Sequence, residues 1–260
     1  MATVRPQVLA PGDEAVAHFA RTGWVLTEPL AADVADRLSD WVDEVSAWPD
    51  GEGDWLHHRE ATEAGAVLCR TENFVPFHTE LRDLLTSGAL LDLASALLGE
   101  PAVLYKEKVN HKAPGGGGFA PHQDAPAYRF VDVHVSCMIA VDDAVVENGC
   151  LEVVSGAHHD LLPTDDTGCV RPDVVATLDW QPVAVRAGQV LWFHSRTPHR
   201  SGANRSDRPR RALYPTYNAA AEGDLRQAYY RQKQAEFAAG AADGRVPISL
   251  IGDFQGTVLS

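Results

Sequence analysis

Apolar positions recur every three to four residues through most of the first hundred residues and every second residue after that. Residues 13–20 put Val16, Phe19 and Ala20 on one helical face, and Gly23 closes the segment before the apolar run Trp24-Val25-Leu26. A longer helix is expected over 31–48, where Val34, Leu38, Trp41, Val42, Val45 and Trp48 share a face and Pro49 stops it. The acidic, glycine-containing stretch 49–59 reads as loop, and 79–98 as a leucine-rich helix that ends before Gly99. The period then becomes two. Leu104, Lys106, Lys108, Asn110 and Lys112 alternate with Tyr105, Glu107, Val109 and His111. Over 131–141, Val131, Val133, Val135, Cys137, Ile139 and Val141 oppose Asp132, His134, Ser136, Met138 and Ala140. Further strands are expected at 150–154, 183–186, 190–194 and 211–218, between turn signals such as Gly115–Gly118, Asn148-Gly149 and Ser155-Gly156. Residues 222–239 return to a helical period, and the tail from Arg245 reads as weak strand or loop.

No repeat or linker divides the chain, so one domain is expected over 1–260, mainly β with flanking helices. It has a helical N-terminal part of about 1–99, a barrel or jelly-roll core of about 100–220, and a C-terminal helix and tail over 221–260.

Charge narrows the partners. With 22 Lys+Arg against 36 Asp+Glu, the net charge of −14 argues against nucleic acid and against an anionic membrane surface. No run is long and apolar enough for a transmembrane helix, and no signal-peptide core opens the chain. The four cysteines lack C-x-x-C spacing and read as buried thiols, so a soluble cytoplasmic protein is expected. Lysine occurs only at Lys106, Lys108, Lys112 and Lys233, which makes the cluster of three a local anomaly.

The candidate chemistry begins at Pro121-His122-Gln123-Asp124, after the glycine run. On an extended strand residues i and i+2 point the same way, so His122 and Asp124 would face one point. His199 follows far downstream, just past the apolar strand 190–194. Two histidines and a carboxylate on one face, with open positions opposite, form the facial triad of non-haem Fe(II) oxygenases. Similar fragments at His58-Arg59-Glu60, His78-Thr79-Glu80 and His158-His159-Asp160 read instead as solvated faces and turns. His194 competes with His199 for the distal position. Arg211 is expected to point away from Arg210, and Arg196, Arg200, Arg205 and Arg208 to form a solvated basic loop.

The run from His199 through Ser201, Asn204 and Ser206 to Pro209-Arg210 resembles the distal motif of the phytanoyl-CoA dioxygenase family, with the arginine eleven residues past the histidine. Pro121-His122-Gln123-Asp124 and Asn148-Gly149-Cys150-Leu151 before Ser155-Gly156-Ala157-His158 are similar to that family too. The resemblance implies a double-stranded β-helix (jelly roll, cupin-like) with Fe(II) on His122, Asp124 and His199. It implies 2-oxoglutarate as co-substrate, its distal carboxylate on Arg210 with Ser201, and Asn110 as a further contact. An arginine fork meets a carboxylate through two parallel bonds, which lysine cannot imitate. Dioxygen, 2-oxoglutarate and a small-molecule substrate are the implied partners. Because Asp124 is present where family halogenases leave a small residue, hydroxylation of a C–H bond is the implied reaction.

Lys106 and Lys108 share the strand face of Asn110, and an inward pair of ammonium groups calls for anionic company, from either a substrate or the fold itself. Arg70-Thr71-Glu72-Asn73-Phe74 with Lys106-Glu107-Lys108 looks like the branch of the family that hydroxylates 2-aminoethylphosphonate. That likeness puts the anion on the lysines and the amine on Glu72. The alternatives are a tailoring oxygenase acting on a larger secondary metabolite, with Tyr128 and Phe130 lining an apolar pocket, and a non-catalytic metal-binding jelly-roll protein.

Overall fold

The computed structural model describes residues 6–128, 130–242 and 248–259. The first part of the expected tail, including Arg245, lies outside the described residues. The chain opens with β1 (Val8–Leu9), α1 (Asp13–Thr22), β2 (Trp24–Thr27) and α2 (Ala32–Ser46), followed by a hairpin of β3 (Leu56–Thr62) and β4 (Gly65–Glu72). Helices α3 (Thr79–Thr86) and α4 (Gly88–Leu98) lead into β5 (Ala102–Lys106), β6 (Lys108–Lys112), β7 (Phe119–His122) and β8 (His134–Ala140). Then come β9 (Leu151–Val153), α5 (Pro172–Val175), β10 (Gln181–Pro182), β11 (Val190–His194) and β12 (His199–Ser201). Strands β13 (Arg210–Leu213) and β14 (Thr216–Ala219), helix α6 (Arg226–Ala242) and β15 (Thr257–Leu259) complete the described chain.

The strands form two sheets, the fold of a jelly roll. The larger runs β1-β2-β11-β8-β13-β6-β4-β3-β15, with β14 joined to β8 and β5. The smaller runs β10-β9-β12-β7. Helices cover the outer face of the large sheet. Leu38, Trp41, Val42 and Val45 of α2 and Leu81, Leu85, Leu90 and Leu93 of α3 and α4 share one core with Val135, Cys137, Ile139, Val190 and Trp192. Each large side chain buried there contributes roughly 1.5–3 kcal/mol. A second core fills the space between the sheets, from Leu26, Met138, Ala140, Leu151, Val153, Leu191 and Phe193. Strand β8 is buried along its whole length because each of its faces meets one of these cores.

Several expected elements change on folding. The helix expected over 79–98 is two helices, because Ser87 is extended and Gly88 takes φ +64°. The strand expected over 211–218 breaks between β13 and β14 at Tyr214-Pro215, where proline lacks a donor for the ladder. The strand placed over 183–186 is reduced to a single bridge between Val185 and Ala144, with the short β10 lying just before it. The largest correction is the β3–β4 hairpin. It lies where the pattern read loop over 49–59 and assigned nothing after it, so the first 99 residues are not all helical. His58 therefore sits on a strand, and His78 is buried as the cap of α3, accepting from the Leu81 amide at 3.2 Å, rather than on solvated helix faces.

Candidate active site

Antiparallel pairing of β7 with β12 puts His199 directly opposite His122, on one face of the small sheet, with ring centroids 4.2 Å apart. Asp124 arrives differently from the expected strand alternation. Strand β7 ends at His122, and Asp124 takes helical dihedrals at the start of a short 3₁₀ turn, which swings its carboxylate back to within 3.8 Å of His122 Nε2. Candidate ligand atoms of His122, Asp124 and His199 all lie within 4.8 Å of one another, and all three residues are buried. His122 Nδ1 donates to the Ala120 carbonyl at 2.7 Å and His199 Nδ1 to the Thr197 carbonyl at 3.0 Å. Those bonds fix both tautomers and leave each Nε2 lone pair aimed at the shared point, the arrangement a divalent metal needs. Burial, reinforced by neighbouring His122, lowers the His199 pKa to about 4 and keeps its ring neutral. Burial would raise Asp124, but His199, Lys106 and His122 outweigh it and hold the carboxyl below the usual range. Ser136 Oγ donates to Asp124 Oδ2 at 3.2 Å. His194 faces elsewhere, against Phe19 and His158, so it does not compete.

Beside the triad opens a cleft of about 410 Å³, a figure that includes the solvent space at its mouth. At one end stand Ser201 and Tyr214. Arg210 lies behind them, 1% exposed, donating from Nη1 to the Tyr214 hydroxyl at 3.2 Å and from Nη2 to the Gly149 carbonyl at 2.8 Å. Its Nε has no partner. Lys112 is buried next to it and donates to Ser201 Oγ at 3.0 Å and to the Gly202 carbonyl at 2.6 Å. Burial, then the adjacent Arg210, presses the Lys112 pKa well below the lysine value. Two buried cations with only neutral acceptors and an orphaned guanidinium nitrogen fit a dicarboxylate such as 2-oxoglutarate. Arg211 turns the other way and pairs with Asp142 and Asp43.

Lys106, Lys108 and Asn110 line the same cleft, as the alternation requires. Lys106 and Lys108 also border an adjoining chamber of about 330 Å³ with Arg70, Tyr128, Lys233 and Ser249. Among the described residues neither lysine has a carboxylate within ion-pair distance. Lys106 Nζ lies 4.5 Å from the centre of the Tyr128 ring and Lys108 Nζ 5.6 Å from that of Tyr214. Burial lowers the Lys106 pKa, and burial with nearby Arg70 and Lys106 presses Lys108 well below the usual value. Glu72 does not stand where a substrate amine could reach it. Its carboxylate lies behind the wall, bonded to Lys233, with Arg70 at 3.6 Å and His58 at 3.7 Å. Besides Asp124 of the triad, the described carboxylate that faces the cleft is Asp253, carried in by the C-terminal segment, and sequence patterning had no signal for it. Phe130 is 43% exposed and away from both cavities, whereas Tyr128 is a chamber wall.

The profile of the family described as Phytanoyl-CoA dioxygenase (PhyH) matches residues 19–212. The chain belongs to this family. A methylphosphonate hydroxylase of Gimesia maris is 48% identical over 94% of this chain and 95% of its own. A 2-aminoethylphosphonate dioxygenase of uncultured bacterium HF130_AEPn_1 is 40% identical over 82% of this chain and 81% of its own. Among solved structures, the epimerase SnoN, in complex with Fe3+, alpha ketoglutarate and nogalamycin RO, superimposes with TM-score 0.67. It is 26% identical, over 80% of this chain and 83% of SnoN. This member of the phytanoyl-CoA dioxygenase family is an iron(II)- and 2-oxoglutarate-dependent dioxygenase acting on a small molecule. No described helix is long and apolar enough to cross a membrane.

Proposed function

We propose that this enzyme hydroxylates a C–H bond of a small organophosphonate. The observation that carries the reading is Lys106 and Lys108, which border both cavities with no carboxylate at ion-pair distance among the described residues, beside Arg70 and Lys233, which share the single anion Glu72; a tetrahedral dianion would supply the missing negative charge. The names of the relatives at 48% and 40% identity support the same substrate class. The mostly polar and charged lining of the cleft favours a small polar metabolite over a bulky apolar one.

In this reading His122, Asp124 and His199 hold iron(II), and Arg210 with Ser201 takes the distal carboxylate of 2-oxoglutarate, Lys112 and Tyr214 supporting them. Asn110 orients the cleft wall, its Oδ1 accepting from Arg70 Nε at 3.0 Å. Lys106 and Lys108 bind the phosphonate and present the adjacent carbon to the triad. Bound there, iron(II) with 2-oxoglutarate and dioxygen supplies the oxidising power, converting R–H, 2-oxoglutarate and O2 to R–OH, succinate and CO2. The protein's part is to bind, aim and exclude water: Phe193, Leu151 and Phe119 are the apolar walls beside the triad. With Cys69, Cys137, Cys150 and Cys169 all buried and free, we place the enzyme in a reducing cytoplasm.

The test is succinate release by the iron-loaded enzyme with methylphosphonate, 2-aminoethylphosphonate and their carboxylate and sulfonate counterparts. Turnover is expected to couple stoichiometrically to a hydroxylated phosphonate. Coupling only to non-phosphonate compounds would overturn the reading.

A further inference from the structure

Among the described residues, Asp253 is the one charged group facing both cavities that the proposed reaction leaves unused. It is 4% exposed, held in place by its own carbonyl, which accepts from the Ala120 amide at 2.6 Å, and by Phe254 packing on Phe119 with ring centroids 5.2 Å apart. Its Oδ1 has no hydrogen-bond partner, and its Oδ2 lies 3.5 Å from His122 Nε2. That second contact is an approach and not a hydrogen bond, and a metal held by the triad would occupy Nε2 and leave Asp253 no donor there. A buried carboxylate whose Oδ1 has no partner is held at a cost unless a cation or strong donor arrives with a ligand. Asp253 is not among the residues whose ligand atoms cluster at the metal point, so its place is beside that point. It borders the cleft at His122 and the chamber at Lys106 and Lys108.

We infer that Asp253 is a specificity-determining residue that binds a cationic group on the substrate, so that the enzyme selects zwitterionic aminoalkylphosphonates over simple alkylphosphonates. This rests on the phosphonate reading above. With the anion among the cations of the chamber, a positive nitrogen a few bonds away reaches Asp253, among the described residues the only carboxylate outside the triad that faces both spaces. An alkyl chain in the same position leaves Asp253 unpaired, which gives selectivity by penalty as well as by attraction.

The experiment compares 2-aminoethylphosphonate with its near-isostere propylphosphonate. Each is titrated anaerobically into the enzyme holding Fe(II) and 2-oxoglutarate, and the visible charge-transfer band is followed. The wild type is expected to bind the amine about ten- to a hundred-fold more tightly, the scale of one charge-assisted hydrogen bond. Asp253→Asn should remove that preference by weakening the amine alone, with the band before substrate unchanged. Asp253→Ser should behave alike. A preference retained in both variants, an equal loss for both compounds, or loss of the band before substrate is added would each overturn the inference. If the wild type binds both compounds equally, the phosphonate reading stands and the inference falls. If it binds neither, both fall.

Discussion

Replacing Arg210 by Met keeps a long unbranched stem and removes the guanidinium, which separates the residue's role in folding from its role toward the co-substrate. In the ligand-free protein that guanidinium makes two bonds to neutral oxygens, 3.2 Å to Tyr214 and 2.8 Å to Gly149, and leaves Nε unpartnered. The bonds contribute about 1 kcal/mol each, while keeping an uncompensated cation from water costs a comparable amount or more. The ligand-free variant is therefore expected to unfold within about 2 kcal/mol of the wild type. Binding behaves oppositely. The distal carboxylate of 2-oxoglutarate loses two charge-assisted bonds of about 1.5–3 kcal/mol each, so its Kd rises by at least about two orders of magnitude. Titration of the charge-transfer band under anaerobic conditions measures that Kd, and calorimetry measures the linked stabilisation. At a hundredfold excess over Kd, 2-oxoglutarate should add about 2.7 kcal/mol, roughly 5–10 °C in Tm for a chain of this size. Arg210→Met should show almost no shift at the same concentration, and Arg210→Lys an intermediate one. A Kd for Arg210→Met within threefold of wild type would refute the assignment. A large fall in ligand-free stability would show that the guanidinium serves the fold instead.

Acidification tests the buried imidazoles. Burial lowers His111 and His134 to about 3 each, against an unfolded value near 6.5, so between those limits the unfolded chain binds more protons and stability falls as pH drops. Each should cost roughly 2 kcal/mol between pH 7 and pH 5. Since both His134 nitrogens are unpartnered, His134→Phe should flatten urea-denaturation stability over that window by the same amount. Lys108→Met removes a cation that has no carboxylate partner, so the ligand-free Tm should hold or rise while KM for a phosphonate increases at least about tenfold. Gly149→Ala introduces a Cβ at φ +74° that overlaps the Gly202 carbonyl and crowds Lys112 Nζ. A loss of more than about 2 kcal/mol is expected by denaturation, with weaker 2-oxoglutarate binding because both cations bond the Gly149 carbonyl.

Much of this enzyme is legible in one dimension because hydrophobic burial is periodic. The faces of α2 and β8, and the whole of β11, follow from spacing alone, since each must present apolar side chains at the repeat of its own backbone. The placement of the candidate triad and of Arg210 is legible because short motifs hold these residues at fixed offsets on or beside strands that the fold pairs, His199 opposite His122 and Arg210 opposite Lys112. The β3–β4 hairpin was hidden for the converse reason. The inner end of β4, Arg70-Thr71-Glu72, is buried yet polar, with Arg70 at the chamber wall and Glu72 paired behind it, and a polar interior leaves no apolar period. Only the tertiary structure decided which charge meets which. Glu72 is consumed by Lys233 and Arg70, Lys106 and Lys108 are left among the described residues without a carboxylate at ion-pair distance, and Asp253 is brought beside the metal point by the closing segment. Pairing among buried charges depends on three-dimensional distance at low dielectric, where a shift of one or two ångströms changes the partner, and linear spacing carries no such information.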